Sequence, residues 1–501
     1  MSWQPRRSAV VGAALAAFVL SSTIVANPVT NASRSLQLAS ALTTNAKSAN
    51  GTLQIASSGS GTVPGKDFRR RGTASNSFEV TPSAYTLRSQ GGAIHPTLVR
   101  VSKGTTVQAR MTRDCQGKCV QRISVSAKGR QANFASGDPA WSPGGTKIAF
   151  TSSASNLVPK DTNRRTDVFV KDLQTGGVRR ISVNARKRQS NTHSSSPAWS
   201  PDGTKIAFYT QGKTNLVRRG APFAQPYHLL LKDLQSGAVR LIQADVEGGS
   251  APVWSPDGAA IAFVSYARTG VIPDDPNKEG GVFVRDLQSG SVRRVSAAAN
   301  GVQARGLDVD PVSPPAWSPD GTGIAFVAKS PELAPNAGGY YRIVVKDLQS
   351  GDLRVIIPDG QGGQADGHHS QFPTWSPDGT KIAFTFDSAL YVMELTSGVV
   401  EEIYSFETDL HAGYGGIQPE WSPDGTEIAF MAFVGKERVP MTNFDLFVMN
   451  LDSGEVKRMY TPSAQFAWSP KSNRIAFTSY AADLVPKDTN RQSDVLVVSV
   501  P

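Results

Sequence analysis

The chain has 501 residues, 39% of them hydrophobic and 19% charged, so it can bury a substantial core. Gly 46 and Pro 32 against Met 7 predict many turns and exclude a large helical protein. The formal charge of +11 allows attraction to anionic polymers. Past the N-terminus no apolar run approaches the roughly 20 residues of a bilayer span, which excludes a polytopic membrane protein.

Residues 1–32 read as an export signal. Arg6 and Arg7 supply the positive start, Ala9 to Ala26 the apolar stretch, and Ala26 or Ala32 the small-residue cleavage site. The alternative is an uncleaved N-terminal anchor. Export places the protein in the periplasm, at the cell wall or outside the cell, with no membrane span after cleavage. Residues 33–104 are rich in Ser, Ala, Thr and Gly, and most of this stretch lacks hydrophobic periodicity. Its composition predicts a flexible linker. Cys115 and Cys119 follow, four residues apart. In an exported chain this pair predicts a disulfide across a hairpin turn, and two thiols alone cannot complete a tetrahedral zinc site.

Residues 105–501 are organised by a repeat. Trp141, Trp199, Trp254, Trp317, Trp375, Trp421 and Trp468 are each followed by Ser-Pro, and five copies continue as Asp-Gly. Ile-Ala-Phe falls seven to nine residues after each Trp, and successive Trp spacings are 58, 55, 63, 58, 46 and 47. Each copy predicts four short strands. The first ends at Trp, and Ser-Pro-Asp-Gly makes a type I turn. The second carries Ile-Ala-Phe, with Ile and Phe on one face and Ala on the other. An apolar third strand such as Val168-Phe169-Val170 leads through a turn ending in Gly to a fourth such as Val178 to Val183. Four antiparallel strands at this period predict an all-β, seven-bladed β-propeller whose Trp residues fill the blade core.

The two chain ends are expected to close the ring. Asp114 to Val125 aligns with Asp172 to Val183 at a shift of 58. Val120 to Val125 would therefore be a fourth strand for the last blade, which ends with a third strand at Val495 to Val500. Residues 107–112 also resemble a third strand, and the C-terminal copy is expected to hold the blade.

The run Trp-Ser-Pro-Asp-Gly-Thr-Lys-Ile-Ala-Phe resembles the TolB-type propeller repeat, a relative in architecture of WD-repeat propellers. The resemblance covers about residues 105–501. It implies a propeller fold and says less about activity, because the same repeat occurs in TolB, in propeller domains of serine peptidases and in some lyases. This chain departs from TolB in lacking an obvious N-terminal α/β domain. It carries neither a Gly-x-Ser-x-Gly elbow nor a spare α/β region for a peptidase domain.

Three groups of residues suggest chemistry. Asp161, Asn163 and Asp167 recur as Asp488, Asn490 and Asp494, with a degenerate copy at Asp274, Asp275 and Asn277. Their side-chain oxygens suit calcium, although Asx turns would use the same residues. His193, His369 and His411, with Gln371, precede the inner strands of blades two, five and six. Axial metal ligation is one reading, matching the His-rich axial site of the propeller lyases that the repeat resembles, and solvated loop histidines are the other. Finally, Arg164, Arg165, Arg179, Arg180, Arg186, Lys187 and Arg188 crowd the first blade as a solvated face or a contact for anionic polymers.

No catalytic residue stands out: paired carboxylates and nucleophile–base arrangements are both missing. The sequence therefore points to a monomeric, non-enzymatic scaffold for an envelope or extracellular protein or an anionic polymer, with nucleic acid excluded as a partner. The competing expectation is a metal-dependent polysaccharide lyase or hydrolase with its site in the axial channel.

Overall fold

In a computed structural model of the chain, each Trp-Ser-Pro-Asp-Gly motif ends a first strand and turns into a second. In blade 2 the Gly203 N–H donates to the Ser200 carbonyl at 2.8 Å, closing the turn. Gly203 stands at φ 68°, a left-handed conformation that costs glycine least. The structure describes residues 120–500 apart from 218–226, 247–249, 266–270, 272–279, 299–300, 303–308, 311–312, 335–338, 358–368, 387–388, 406–417, 434–443 and 487. Before residue 120 it describes strand backbone only. The export signal (1–32), Cys115, Cys119, His411, Asp274, Asp275 and Asn277 lie outside the described residues.

Seven blades follow. Blade 1 runs through Ser136–Trp141, Lys147–Ser152, Asp167–Asp172 and Val178–Arg180, each strand antiparallel to the next. Blades 2 to 5 repeat this order up to Val400–Ser405. Blade 6 begins at Glu420–Trp421, and the long strand Val456–Trp468 serves it and then opens blade 7. Blade 7 continues through Arg474–Ser479 and Asp494–Ser499. Its fourth strand is Val120–Arg122, with Val120 opposite Val498 and Arg122 opposite Leu496. The ring thus closes with an N-terminal strand, and the C-terminal copy holds the third position, as the repeat alignment predicts. First strands of successive blades touch one another all the way round, so they line the axis.

The core lies between blades. The Ala face of one blade takes the Trp, Ile and Phe of the next: Ala207, Leu229 and Leu231 of blade 2 pack on Trp254, Ile261 and Phe263 of blade 3. Ala476, Val495 and Val497 of blade 7 receive Trp141, Ile148 and Phe150 in the same way. Every Phe of the Ile-Ala-Phe runs is buried, each contributing about 1.5–3 kcal/mol. The alternation large-small-large lets neighbouring sheets mesh without gaps.

Residues 1–119 form a second unit. Its strands make a five-stranded sheet, in the order Lys66–Arg69, Ser60–Val63, Arg34–Leu38, Ser83–Ser89 and Thr97–Val101. A four-stranded sheet has the order Ala74–Glu79, Thr52–Ser57, Leu42–Thr43 and Arg110–Met111. The other compact unit begins at Val120.

Candidate functional site

The axial wall is built by the first strands, and a local irregularity aims their side chains. The pairing of first and second strand shifts between Gly137 and Ala140, between Ser195 and Ala198, and between Gln371 and Thr374. At these bulges Asp138, Ser196 and Phe372 take φ values of 50°, 53° and 53°. The bulge residues link blade to blade. Gln465 Oε1 of blade 7 accepts the Asp138 N–H at 3.0 Å, and Asp138 Oδ2 accepts the Ser196 N–H at 3.2 Å and the Thr151 hydroxyl at 2.6 Å.

Glu420 stands out among the innermost strands, with its side chain turned toward blade 7. It occupies the position before Trp that is Ala140, Ala198, Val253, Ala316, Thr374 and Ala467 in the other blades. Its strand is the free edge of its sheet. Glu420 Oε1 accepts the backbone N–H of Trp468 in the next blade at 3.3 Å. Burial pushes its carboxyl up to about 7, opposed by that one hydrogen bond. Sequence reasoning missed this residue, yet the signal was there: a carboxylate in a column of small side chains.

Arginine takes the place expected for calcium. The Arg180 guanidinium lies 2.9 Å from Asp161 Oδ2 and 3.5 Å from Asp167 Oδ2, and all three side chains are buried. Asp167 also accepts the Ser182 hydroxyl at 2.5 Å and the Asn163 amide at 2.8 Å. Burial raises the Asp167 carboxyl to about 6, against these bonds and Arg180. The second loop repeats the plan across the ring closure. Arg122 lies 2.9 Å from Asp494 and 3.3 Å from Asp488, Ser124 donates to Asp494 at 2.6 Å, and Asn490 donates to the Ala132 carbonyl at 2.8 Å. In both loops the carboxylates already pair with a buried arginine, and nothing in this arrangement supports calcium. Of the basic run in blade 1, Arg180 is the buried member, while Arg164, Arg165, Arg179, Arg186, Lys187 and Arg188 are exposed.

Of the candidate histidines, His193 and His369 are described, and they serve separate blades. His193 Nδ1 accepts the Thr166 N–H at 3.1 Å, and its Nε2 faces the Arg165 guanidinium at 3.2 Å. Burial and Arg165 lower its pKa. His369 Nδ1 accepts the Tyr341 N–H at 3.1 Å in the corresponding place three blades on. Both rings cap the start of a third strand, which makes them poor metal ligands: the lone pair of Nδ1 is used, and a cation faces His193. Gln371 donates to Asp310 at 2.9 Å. No cluster of three or more His, Cys, Asp or Glu suited to a metal occurs among the described residues.

Blades are clamped together by tryptophan. Each repeat Trp donates its Nε1–H to the carbonyl one residue before the Trp of the preceding blade: Trp199 to Ala140 at 3.2 Å, Trp254 to Ala198 at 3.1 Å, Trp468 to Glu420 at 3.1 Å. Trp141 closes the circle on Ala467 at 3.1 Å. The fold is a seven-bladed β-propeller built on a TolB-like repeat. Residues 337–444 match the family model of the dipeptidyl peptidase IV N-terminal region. An uncharacterized peptidase, YuxL, from Bacillus subtilis is 26% identical over 248 residues, 50% of this chain and 29% of that protein. Dipeptidyl-peptidase 5 from Porphyromonas gingivalis is 31% identical over 132 residues, 26% of this chain and 17% of that protein. The TolB-like chain thus spans less than a third of either curated relative. Among solved structures, an oligogalacturonate lyase from Vibrio parahaemolyticus superposes with a TM-score of 0.51 at 14% identity, covering 78% of this chain and 95% of that one. At that identity the likeness concerns the fold.

These relatives correct the expectation of a non-enzymatic scaffold. Both curated matches are named as peptidases, and the family model is a peptidase propeller region. The enzymatic alternative fits the comparisons better.

Proposed function

We propose that this TolB-like propeller is an exported polysaccharide lyase or hydrolase that works at its axial channel, with Glu420 as the proton-transfer group. The observation that carries the reading is Glu420 itself, a mostly buried carboxylate on the innermost strand of blade 6, turned toward blade 7, whose carboxyl is pushed up to about 7 by burial. A general base is most effective when its pKa lies near the operating pH. β-Elimination of a uronate polymer asks for little else from side-chain acid–base chemistry. Glu420 takes the proton on the carbon next to the uronate carboxyl, a carbon–carbon double bond forms as the bond to the leaving glycosidic oxygen breaks, and the proton held by Glu420 passes to that oxygen, which returns the carboxylate. Gln465 and Asp138 offer amide and carboxylate groups on neighbouring blades for orienting the sugar. The residues His193 and His369 do not fit a metal, so no step is assigned to one.

Peptide hydrolysis is a second reading, favoured by the names of the two curated relatives. The test is a product assay on the full chain with polygalacturonate, other uronate polymers and a mixed peptide pool. Unsaturated uronate products support the lyase reading. Saturated sugar products support the hydrolase form, peptide fragments alone support the second reading, and no product from any substrate contradicts both.

A further inference from the structure

The position that opens the second strand faces the Trp of the next blade. Arg474 of blade 7 shows the contact: its guanidinium carbon lies 4.8 Å from the centroid of the Trp141 ring, within cation–π range. Lys147, Lys205, Lys381 and Glu427 hold the same position in blades 1, 2, 5 and 6. Blades 3 and 4 carry Ala260 and Gly323 instead. The consequence is visible in burial. The five Trp residues that follow a long side chain are buried, whereas Trp317 and Trp375, which follow Ala260 and Gly323, are partly exposed.

Between blades 3 and 4 the missing side chain leaves a cleft of about 460 Å³. Trp317 lines it together with Ala260, Asp257, Asp286, Asp320 and Arg293. Three carboxylates oppose one guanidinium, and Arg293 donates to the Leu348 carbonyl at 3.3 Å. Hydrogen bonds from Ser255 and the Ala259 N–H hold Asp257 below the usual carboxylate range, and those from Ser289 and Gln288 do the same for Asp286. The acids therefore carry charge at neutral pH.

We infer that the cleft between blades 3 and 4 binds an extrinsic organic cation, the guanidinium or ammonium head of a basic side chain on a peptide, against the face of Trp317. The argument is one of replacement. Between blades 7 and 1 an internal guanidinium covers the equivalent ring, whereas here position 260 supplies no cation and the Trp317 face opens on three carboxylates against the single Arg293. The site is separate from Glu420, which lies in the first strand of blade 6, so neither reading depends on the other.

The test is calorimetric titration of the full chain with Nα-acetyl-arginine amide and Nα-acetyl-lysine amide, with Nα-acetyl-glutamate amide as the control. Saturable binding of the two cations at one site, without binding of the glutamate compound, is expected. Ala260→Lys restores the residue found in blades 1, 2 and 5 and should lower affinity by about tenfold or more by filling the cleft, a change of about 1.4 kcal/mol or more. Asp286→Asn is a milder variant. Asn450 holds the same turn position in blade 6 and accepts the same Ser hydrogen bond, so the turn should survive. It should weaken binding about threefold. Absence of saturable binding, equal binding of the glutamate compound, or unchanged affinity in both variants would overturn the inference.

Discussion

Trp141 in the first blade donates its indole N–H to the carbonyl of Ala467 in the last at 3.1 Å, so residues more than 300 positions apart close the ring. The same Trp carries the Arg474 guanidinium on its face. Replacing Trp141 with Phe keeps most of the apolar ring and removes the donor. The expected cost is about 1 kcal/mol for the hydrogen bond, with some further loss from the smaller ring. Urea denaturation followed by intrinsic fluorescence measures it. A stop codon after Lys487 removes the strand that pairs with Val120–Arg122 and should abolish cooperative unfolding. An unchanged melting temperature would contradict closure.

Arg180 neutralises Asp161 and Asp167 inside blade 1. Arg180→Leu leaves two buried carboxylates without a partner and should cost about 3–5 kcal/mol. Adding Asp161→Asn and Asp167→Asn to that variant should recover much of the loss. Excess calcium should leave the melting temperature of the unaltered protein unchanged. A rise on calcium addition that EDTA reverses would favour the metal over the arginine.

Glu420 makes a specific pH signature. Its carboxyl is raised in the folded protein to about 7 from 4.5, so the folded state holds the proton more tightly than the unfolded state. The protonated form therefore favours folding below the unfolded value, and this contribution is lost as pH rises from about 4.5 through 7. The loss is at most about 3 kcal/mol, and less where water reaches the carboxyl. Stability measured at pH 5 and pH 8 should differ less in Glu420→Gln than in the parent protein. An identical difference in the two proteins would contradict the assignment.

His193 and His369 serve as caps, and each removal should be modest. His193→Ala and His369→Ala should each cost about 1 kcal/mol through the lost acceptor for a backbone N–H. Both variants should keep wild-type metal content by elemental analysis. Loss of a stoichiometric transition metal in either would restore the axial metal reading.

The fold was legible because Trp, Pro, Gly and Ile-Ala-Phe recur at fixed offsets, and each has one structural job that does not depend on distant residues. Ring closure was legible for the same reason, through the alignment of 114–125 with 172–183. The arginine partners of the acidic loops were not legible because they come from other strands. Arg122 and Asp494 sit near opposite ends of the propeller and meet only once the ring closes. A signal was nevertheless present: Arg122 with Ser124, and Arg180 with Ser182, stand at one offset in the fourth strand. The capping roles of His193 and His369 were not legible because position before an inner strand says nothing about where a ring nitrogen points. Their shared use as caps depends on Thr166 and Tyr341, which lie one strand earlier in the fold. The strands before residue 120 lie in Ser- and Ala-rich sequence, which carries little alternation.

Replacement of Glu420 tests whether this carboxylate transfers the proton. The rate of cleavage of a uronate polymer, followed by the ultraviolet absorbance of the unsaturated product, would be measured from pH 5 to pH 9 in the parent protein and in Glu420→Gln. The account predicts a rate that rises with pH through about 7 as Glu420 loses its proton, and a fall in kcat of about 100-fold or more in the variant with its fold intact. Full activity in Glu420→Gln, with the same pH profile, would contradict it.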